Sequence, residues 1–147
     1  MDNIQFDFLD IEIPDFDPDF FCNWILLVAQ REDIVLGEIQ YIFCSDNELL
    51  KINNKALGHN YFTDIVTFNY NEENSCSGDL FISYDRVKDN AAVYGNNNVF
   101  DELCRVMVHG VLHLIGYDDK TEDDKIVMRK MEDLYLSMRG DVSRETL

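Results

Sequence analysis

The sequence predicts an α+β fold in which about five helices cover a small four-stranded sheet. Two observations indicate this class: strand and helix patterns follow in the order β-α-β-α-β-β-α-α-α, and 46% of the 147 residues are hydrophobic. A chain of this length typically forms one domain that buries about 68–70% of its unfolded surface. We therefore expect residues 1–147 to form a single domain with a core that needs no disulfide.

The first half of the chain alternates strands and helices. Each strand is a run of alternating apolar residues, and each helix follows a capping signal, Asp17-Pro18 for the first and Ser45-x-x-Glu48 for the second. The predicted elements are a strand at 4–8, a helix at 18–31, a strand at 37–43 and a helix from Ser45 to about Lys55.

The second half begins with a predicted hairpin and ends in helices. Residues 64–70 and 79–83 are β-branched or aromatic runs joined by a polar connection. Capping residues and glycines then delimit three helices. These helices run from Ser83 to Gly95, from Asn98 to Gly116 and from Thr121 to Gly140. In the last helix we expect an apolar stripe to face the core, formed by Ile126, Val127, Met131, Leu134 and residues 136–138.

Charge and cysteine usage exclude several classes of protein. The formal charge is 12 − 29 = −17, which disfavours unspecific coating of nucleic acid and argues against DNA as a partner. The N-terminus has no basic region and no apolar run could span a bilayer, so we expect neither secretion nor membrane insertion. The four cysteines form no C-x-x-C pair, which indicates reduced thiols in a cytoplasmic protein.

Residues 109–119, HGVLHLIGYDD, carry the clearest chemical signal. His109 and His113 are four residues apart on a predicted helix, so both imidazoles can reach one metal ion. Gly116 permits a turn that brings Asp119 back as a third ligand. The pattern resembles that of the metzincins, with Asp in place of the third histidine. It predicts a zinc site with one zinc per chain and an open position for a catalytic water.

The same stretch argues against peptide hydrolysis. In metzincins a glutamate follows the first histidine and accepts the proton of the zinc-bound water, whereas this chain has Gly110. Asp118 and Glu122 are poor substitutes, because carboxylates in such a loop are usually solvated or capping residues. A metalloprotease is therefore the weakest of the alternatives.

The motifs around this stretch resemble the YbeY family of bacterial ribosomal RNA maturation endoribonucleases. HGVLHLIGYD matches ten positions of the family signature, TDIVTF at 63–68 is similar to its P-T-D-V-L-S-F, and GDLFIS at 78–83 is similar to its G-D-I-x-I-S. The resemblance implies a mixed sheet, a zinc site at His109, His113 and Asp119, and cleavage of single-stranded RNA. It further implies a role in the 3′-end maturation of 16S ribosomal RNA and in assembly and quality control of the small ribosomal subunit, which would be the partner.

Two positions depart from the family pattern. Asp119 stands where the family usually has histidine, and its negative charge would make the metal a weaker Lewis acid. Leu57 stands where the family usually has arginine and cannot bind phosphate. His59 aligns with a family lysine and is our candidate for a further catalytic residue, able to contact phosphate or donate a proton. Thr63 and Asp64 match the family but receive no role.

These observations predict metal-assisted cleavage of RNA phosphodiester bonds. The metal together with Lys51, Lys55, His59 and Arg105 would give the RNA a small positive region on an otherwise acidic protein. The alternative of a different class is a non-catalytic ribosome assembly factor in which the metal only fixes the end of the helix.

Overall fold

The computed structural model describes residues 3–94 and 96–142. The strands are β1 (Ile4–Phe8), β2 (Leu36–Cys44), β3 (Ile65–Asn69) and β4 (Cys76–Ser83). The helices are α1 (Pro18–Arg31), α2 (Asp46–Leu57), α3 (Tyr84–Tyr94), α4 (Val99–Ile115) and α5 (Glu122–Ser137), and α5 is followed by a 3-10 turn at Met138–Asp141. None of the helices in this part of the chain is long and apolar enough to span a membrane.

The predicted order of strands and helices is confirmed, and the boundaries shift most at two places. β4 begins at Cys76, three residues before the predicted start, because the polar residues there continue the ladder with β2. The last helix changes to 3-10 geometry before Gly140. The helix stop predicted at Gly95 lies outside the described residues.

The four strands form one mixed sheet in the order β1-β2-β4-β3. β1 pairs parallel to β2, and β2 pairs parallel to β4. β3 pairs antiparallel to β4, with Val66 opposite Phe81 and Phe68 opposite Asp79, which confirms the predicted hairpin. This topology leaves β3 at one edge of the sheet.

The two faces of the sheet are covered unequally. On one face the side chains of Ile39, Tyr41 and Phe43 are buried in the main core with helices α1, α3, α4 and α5. On the other face α2 forms a smaller cluster in which Leu49 packs with Cys44 and Val66. Strand periodicity produces this division, because successive side chains point to opposite faces. The large core therefore fixes α4 against the sheet, beside the edge strand β3.

The apolar stripe predicted for α5 is confirmed in part, because Met131, Leu136 and Met138 pack against the main core. Ile126 and Val127 are exposed, and Leu134 is 38% exposed. The buried positions include Met128, Tyr135 and the charged Glu132. Glu132 bonds from this face to the partly exposed Arg105 and His109 of α4, a pairing that an apolar pattern cannot reveal.

Candidate metal centre

His109 and His113 lie on the last two turns of α4, with His113 two residues before its C-terminal end. The helix begins at the predicted cap, where the Asn98 side chain accepts a hydrogen bond from the backbone N–H of Asp101. It ends at Gly116, whose φ of +126° would strain any residue with a Cβ. The chain then reverses, so that Asp119 faces the two histidines, as the spacing predicts.

The three side chains converge on one point. Nε2 of His109 lies 3.0 Å from Nε2 of His113, and each of these nitrogens lies 3.4 Å from Oδ2 of Asp119. Tetrahedral zinc with ligand bonds of about 2.0–2.1 Å separates neighbouring ligand atoms by about 3.3 Å. The spacing and the donor set of two imidazoles and one carboxylate therefore fit zinc, with one coordination position left open.

Glu132 of α5 sets the orientation of His109. Its carboxylate accepts a hydrogen bond from Nδ1 of His109 at 2.7 Å and another from Arg105 at 2.8 Å. Because a carboxylate only accepts, Nδ1 of His109 carries a proton and Nε2 directs its lone pair at Asp119 and His113. Sequence reasoning missed this residue, which is 23 positions from His109 in the chain.

The same contact shifts the pKa values of both partners. Burial disfavours the charged imidazolium of His109, but the hydrogen bond and charge of Glu132 outweigh it and raise the pKa of His109. Burial alone would raise the pKa of Glu132, yet the hydrogen bonds from His109 and Arg105 hold it below its ordinary value. Glu132 is therefore ionised at neutral pH and stays available as an acceptor.

The loop that carries Asp119 is fixed by α1 and α5. The hydroxyl of Tyr117 donates to Oε1 of Glu32 at 2.8 Å, and the hydroxyl of Tyr135 donates to the other oxygen of the same carboxylate. Tyr135 is held in turn by Trp24, whose indole N–H donates to its carbonyl at 2.9 Å. This chain of bonds positions the third candidate ligand.

A cleft of about 440 Å³ opens beside the three side chains. Its wall includes Thr63 and Asp64, which precede β3, and Thr67 and Asn69 from β3 itself. Burial raises the pKa of Asp64, although the neighbouring charge of His109 opposes this rise. Asp64 is thus a second carboxylate in the cleft, beside that of Asp119. In the sequence, the TDIVTF motif was the feature that singled out Thr63 and Asp64.

Gly110 faces the sheet and not the cleft. A Cβ at this position would lie 2.6 Å from Cδ2 of Leu80 and 2.7 Å from Cδ1 of Ile65. A glutamate at this position would have to displace the side chains of Leu80 and Ile65 from the core and would point at the sheet. The packing of α4 therefore excludes the catalytic glutamate of the metzincins, which agrees with the argument against a protease.

His59 and Arg105 do not join the site. His59 lies on the loop between α2 and β3, outside the residues that line the cleft, and hydrogen-bonds to Tyr61. Its catalytic role stays a prediction. Arg105 is bonded to Glu132 and Asp133 at 2.8 Å each, outside the residues that line the cleft, and its part in an RNA-binding region stays a prediction.

The cysteines are also remote from the metal chemistry. All four are free thiols, and Cys44, Cys76 and Cys104 are buried. Burial raises the pKa of Cys44 and of Cys104 to about 12, so both remain protonated at neutral pH. A protonated thiol is a poor metal ligand.

Comparison with known proteins identifies the family. The family model described as Endoribonuclease YbeY matches residues 12–140. Proteins named Endoribonuclease YbeY from Cytophaga hutchinsonii and Bacteroides fragilis are 50% identical over 118 residues and 43% identical over 129 residues. The first alignment covers 80% of this chain and 82% of the relative, and the second covers 88% and 92%.

A solved structure has the same fold. The solution structure of a protein from Thermotoga maritima superposes with a TM-score of 0.63 over 92% of this chain and 88% of that chain, at 23% sequence identity. This likeness concerns the fold alone. The family match and the identity to the two relatives cover most of the chain, and they establish that it belongs to the YbeY endoribonuclease family.

Proposed function

We propose that this protein is a zinc-dependent endoribonuclease that cleaves single-stranded RNA, and that it acts in the 3′-end maturation of 16S ribosomal RNA within the small ribosomal subunit. The single observation that carries the proposal is the convergence of His109, His113 and Asp119 beside an open cleft. Membership of an endoribonuclease family supports RNA as the substrate.

His109, His113 and Asp119 would hold the metal. Two imidazoles and one carboxylate are ligands that zinc commonly takes in catalytic sites, whereas magnesium and calcium prefer oxygen ligands throughout. When bound, the cation would supply Lewis-acid chemistry by polarising a phosphoryl oxygen.

Two further carboxylates, those of Glu132 behind His109 and of Asp64 in the cleft, would assist the reaction. Glu132 fixes the tautomer and ring orientation of His109, so that the ligand set needs little reorganisation. Asp64 is our candidate for the group that moves a proton between substrate and solvent, because its carboxylate lines the cleft and its pKa lies above the ordinary value. It would supply the proton acceptor that Gly110 cannot.

Metal content and RNA cleavage test this proposal together. Protein purified without chelator or metal affinity resin is analysed by mass spectrometry, with Asp119→Ala beside the wild type and Asp118→Ala as the matched control. Asp118 lies on the same loop but is exposed. We expect about one zinc in the wild type and the control and a sharp loss in Asp119→Ala. Cleavage of a single-stranded RNA should follow the metal content.

Two outcomes would support other functions. If the protein contains zinc and unfolds without it but cleaves no RNA, the metal is structural and the protein acts as an assembly factor. If a chelator-sensitive digest cleaves peptides and RNA stays intact, the protein is a protease. The ribosomal role has its own test, which is the conversion of 16S precursor RNA in immature small subunits to the mature 3′ end.

A further inference from the structure

Large apolar side chains are exposed at the end of α2 and in the loop between α2 and β3. We define the aromatic loop as Leu57, the last residue of α2, together with the loop residues 58–62. Within it Leu57 is 46% exposed, Tyr61 is 56% exposed and Phe62 is 50% exposed. None of these side chains belongs to either buried core cluster. Exposed aromatic rings close together are typical of binding surfaces.

The aromatic loop is structured by specific contacts. The rings of His59 and Tyr61 stack with centroids 5.2 Å apart and planes 18° apart, and the Tyr61 hydroxyl lies 3.0 Å from Nδ1 of His59. The buried Asn53 donates from Nδ2 to the Tyr61 carbonyl at 3.1 Å. The guanidinium of Arg86 lies 5.4 Å from the centre of the Phe62 ring. The rings are therefore held in position while a large part of each stays open to solvent.

The aromatic loop leads directly into the metal-site cleft. The residues that follow it, Thr63 and Asp64, line that cleft. Since a residue spans at most about 3.6 Å along the chain, the Cα of Tyr61 lies within about 11 Å of the Cα of Asp64. A strand whose phosphate occupies the cleft would thus bring its next one or two bases to Tyr61 and Phe62.

The charge distribution favours an anionic strand along the same path. The two longest stretches of the sequence without Asp or Glu are residues 49–63 and residues 103–117. The first contains Lys51, Lys55 and the aromatic loop, and the second contains both histidines of the metal centre. On a protein of charge −17, these two segments themselves add no carboxylate that would repel a phosphate backbone.

We propose that the aromatic loop is a stacking platform for unpaired bases of single-stranded RNA, with Tyr61 and Phe62 as the contacting rings. This inference rests on the proposed RNA-cleaving function and adds to it the means of selecting single strands. Aromatic side chains stack on any unpaired base, whereas bases within a duplex already stack on each other and cannot reach the loop.

Fluorescence of 2-aminopurine tests the platform directly. A short single-stranded oligoribonucleotide with one 2-aminopurine is titrated with the full-length protein, once in EDTA and once with zinc. Stacking on Tyr61 should quench the fluorophore. We expect Tyr61→Leu, which keeps apolar bulk but removes the ring, to abolish much of the quenching and to weaken binding roughly 5- to 150-fold, the effect of one lost base stack. Tyr61→Trp should restore both.

Tyr94→Leu is the matched control, because Tyr94 is 80% exposed but belongs to α3. It should bind RNA as the wild type does. In cleavage assays Tyr61→Leu should raise the RNA concentration needed for half-maximal rate and leave the maximal rate unchanged. Thermal unfolding of each variant verifies that the fold is retained.

The outcomes separate this inference from the proposed function. If the wild type cleaves RNA and Tyr61→Leu binds and cleaves equally well, the platform is wrong and the nuclease stands. The platform is also wrong if wild-type protein binds a duplex as tightly as a single strand. If the wild type neither binds nor cleaves any RNA, the proposed function and the platform fall together.

Discussion

Glu132→Gln tests the support of the candidate metal centre without changing any of its three ligand residues. Glutamine keeps the volume of glutamate but replaces one carboxylate oxygen by an NH₂ group. Glu132 accepts from Nδ1 of His109 at 2.7 Å and from Arg105 at 2.8 Å, so the amide would face one of these donors with a donor of its own. One charge-assisted bond is lost and one repulsive contact is created.

The structure sets the expected magnitudes. The side chain of Glu132 is 7% exposed, and loss of one partner from a buried ion pair costs about 3–5 kcal/mol. Arg105 is 24% and His109 is 22% exposed, so water can solvate both in part and we expect the lower end, about 3 kcal/mol, in the metal-free protein. Zinc affinity should fall about 10- to 100-fold, because His109 loses the bond that fixes its tautomer.

Two measurements and a control make the test. Urea unfolding in EDTA gives the stability change, and competition with a chromophoric chelator gives the zinc affinity. Asp133→Asn is the matched control, because Asp133 bonds to the same Arg105 but is 59% exposed and does not contact His109. It should change stability by less than about 1 kcal/mol and leave zinc affinity unchanged. Wild-type zinc affinity in Glu132→Gln would refute the orienting role of this carboxylate.

Three further predictions follow from the same region. In EDTA, the stability difference between wild type and Glu132→Gln should be largest between about pH 4.5 and 6.5. Below that window the difference is lost as pH falls through the lowered pKa of Glu132. Above it the difference decreases, as pH rises through the raised pKa of His109, to the part that the bond with Arg105 retains, which denaturation at several pH values would show. Asp64→Asn should retain zinc but reduce the maximal cleavage rate about 10²- to 10⁴-fold, and an unchanged rate would remove Asp64 from the mechanism. Gly110→Ala should destabilise the protein by about 1–3 kcal/mol, because its Cβ would overlap Leu80, and unaltered urea denaturation would contradict this packing argument.

Local signals in the sequence predicted the elements well. Thr121 and Asp124 form the complete capping box that their spacing indicates, and Ser45 accepts from the backbone N–H of Glu48 at 3.2 Å. The triad of His109, His113 and Asp119 was also predictable, because all three residues lie within one helix and the turn after it. In each case the partners are close in sequence, so spacing determines geometry.

The residues that support the site were not predictable in this way. Glu132 reaches the metal centre only because α5 packs on α4, and its partners are 23 and 27 residues away. Glu32 is 85 residues from Tyr117, which it holds. Asp64 enters the cleft because the edge strand β3 lies beside α4. No periodicity reports such contacts, and the apolar stripe predicted for α5 was wrong at Ile126, Val127 and Leu134, which are exposed while Glu132 is buried.

Glu32 accepts hydrogen bonds from both Tyr117 and Tyr135, and this pair of bonds has a consequence for the time course of metal uptake. During synthesis, the segment that carries both histidines emerges before Tyr135, so the Asp119 loop is not yet braced from both sides. If the site takes zinc as proposed, the unbraced loop would hold Asp119 less firmly, and we expect tight binding only after α5 has docked. We then expect the bound metal to be released when α5 detaches, before α4 itself unwinds.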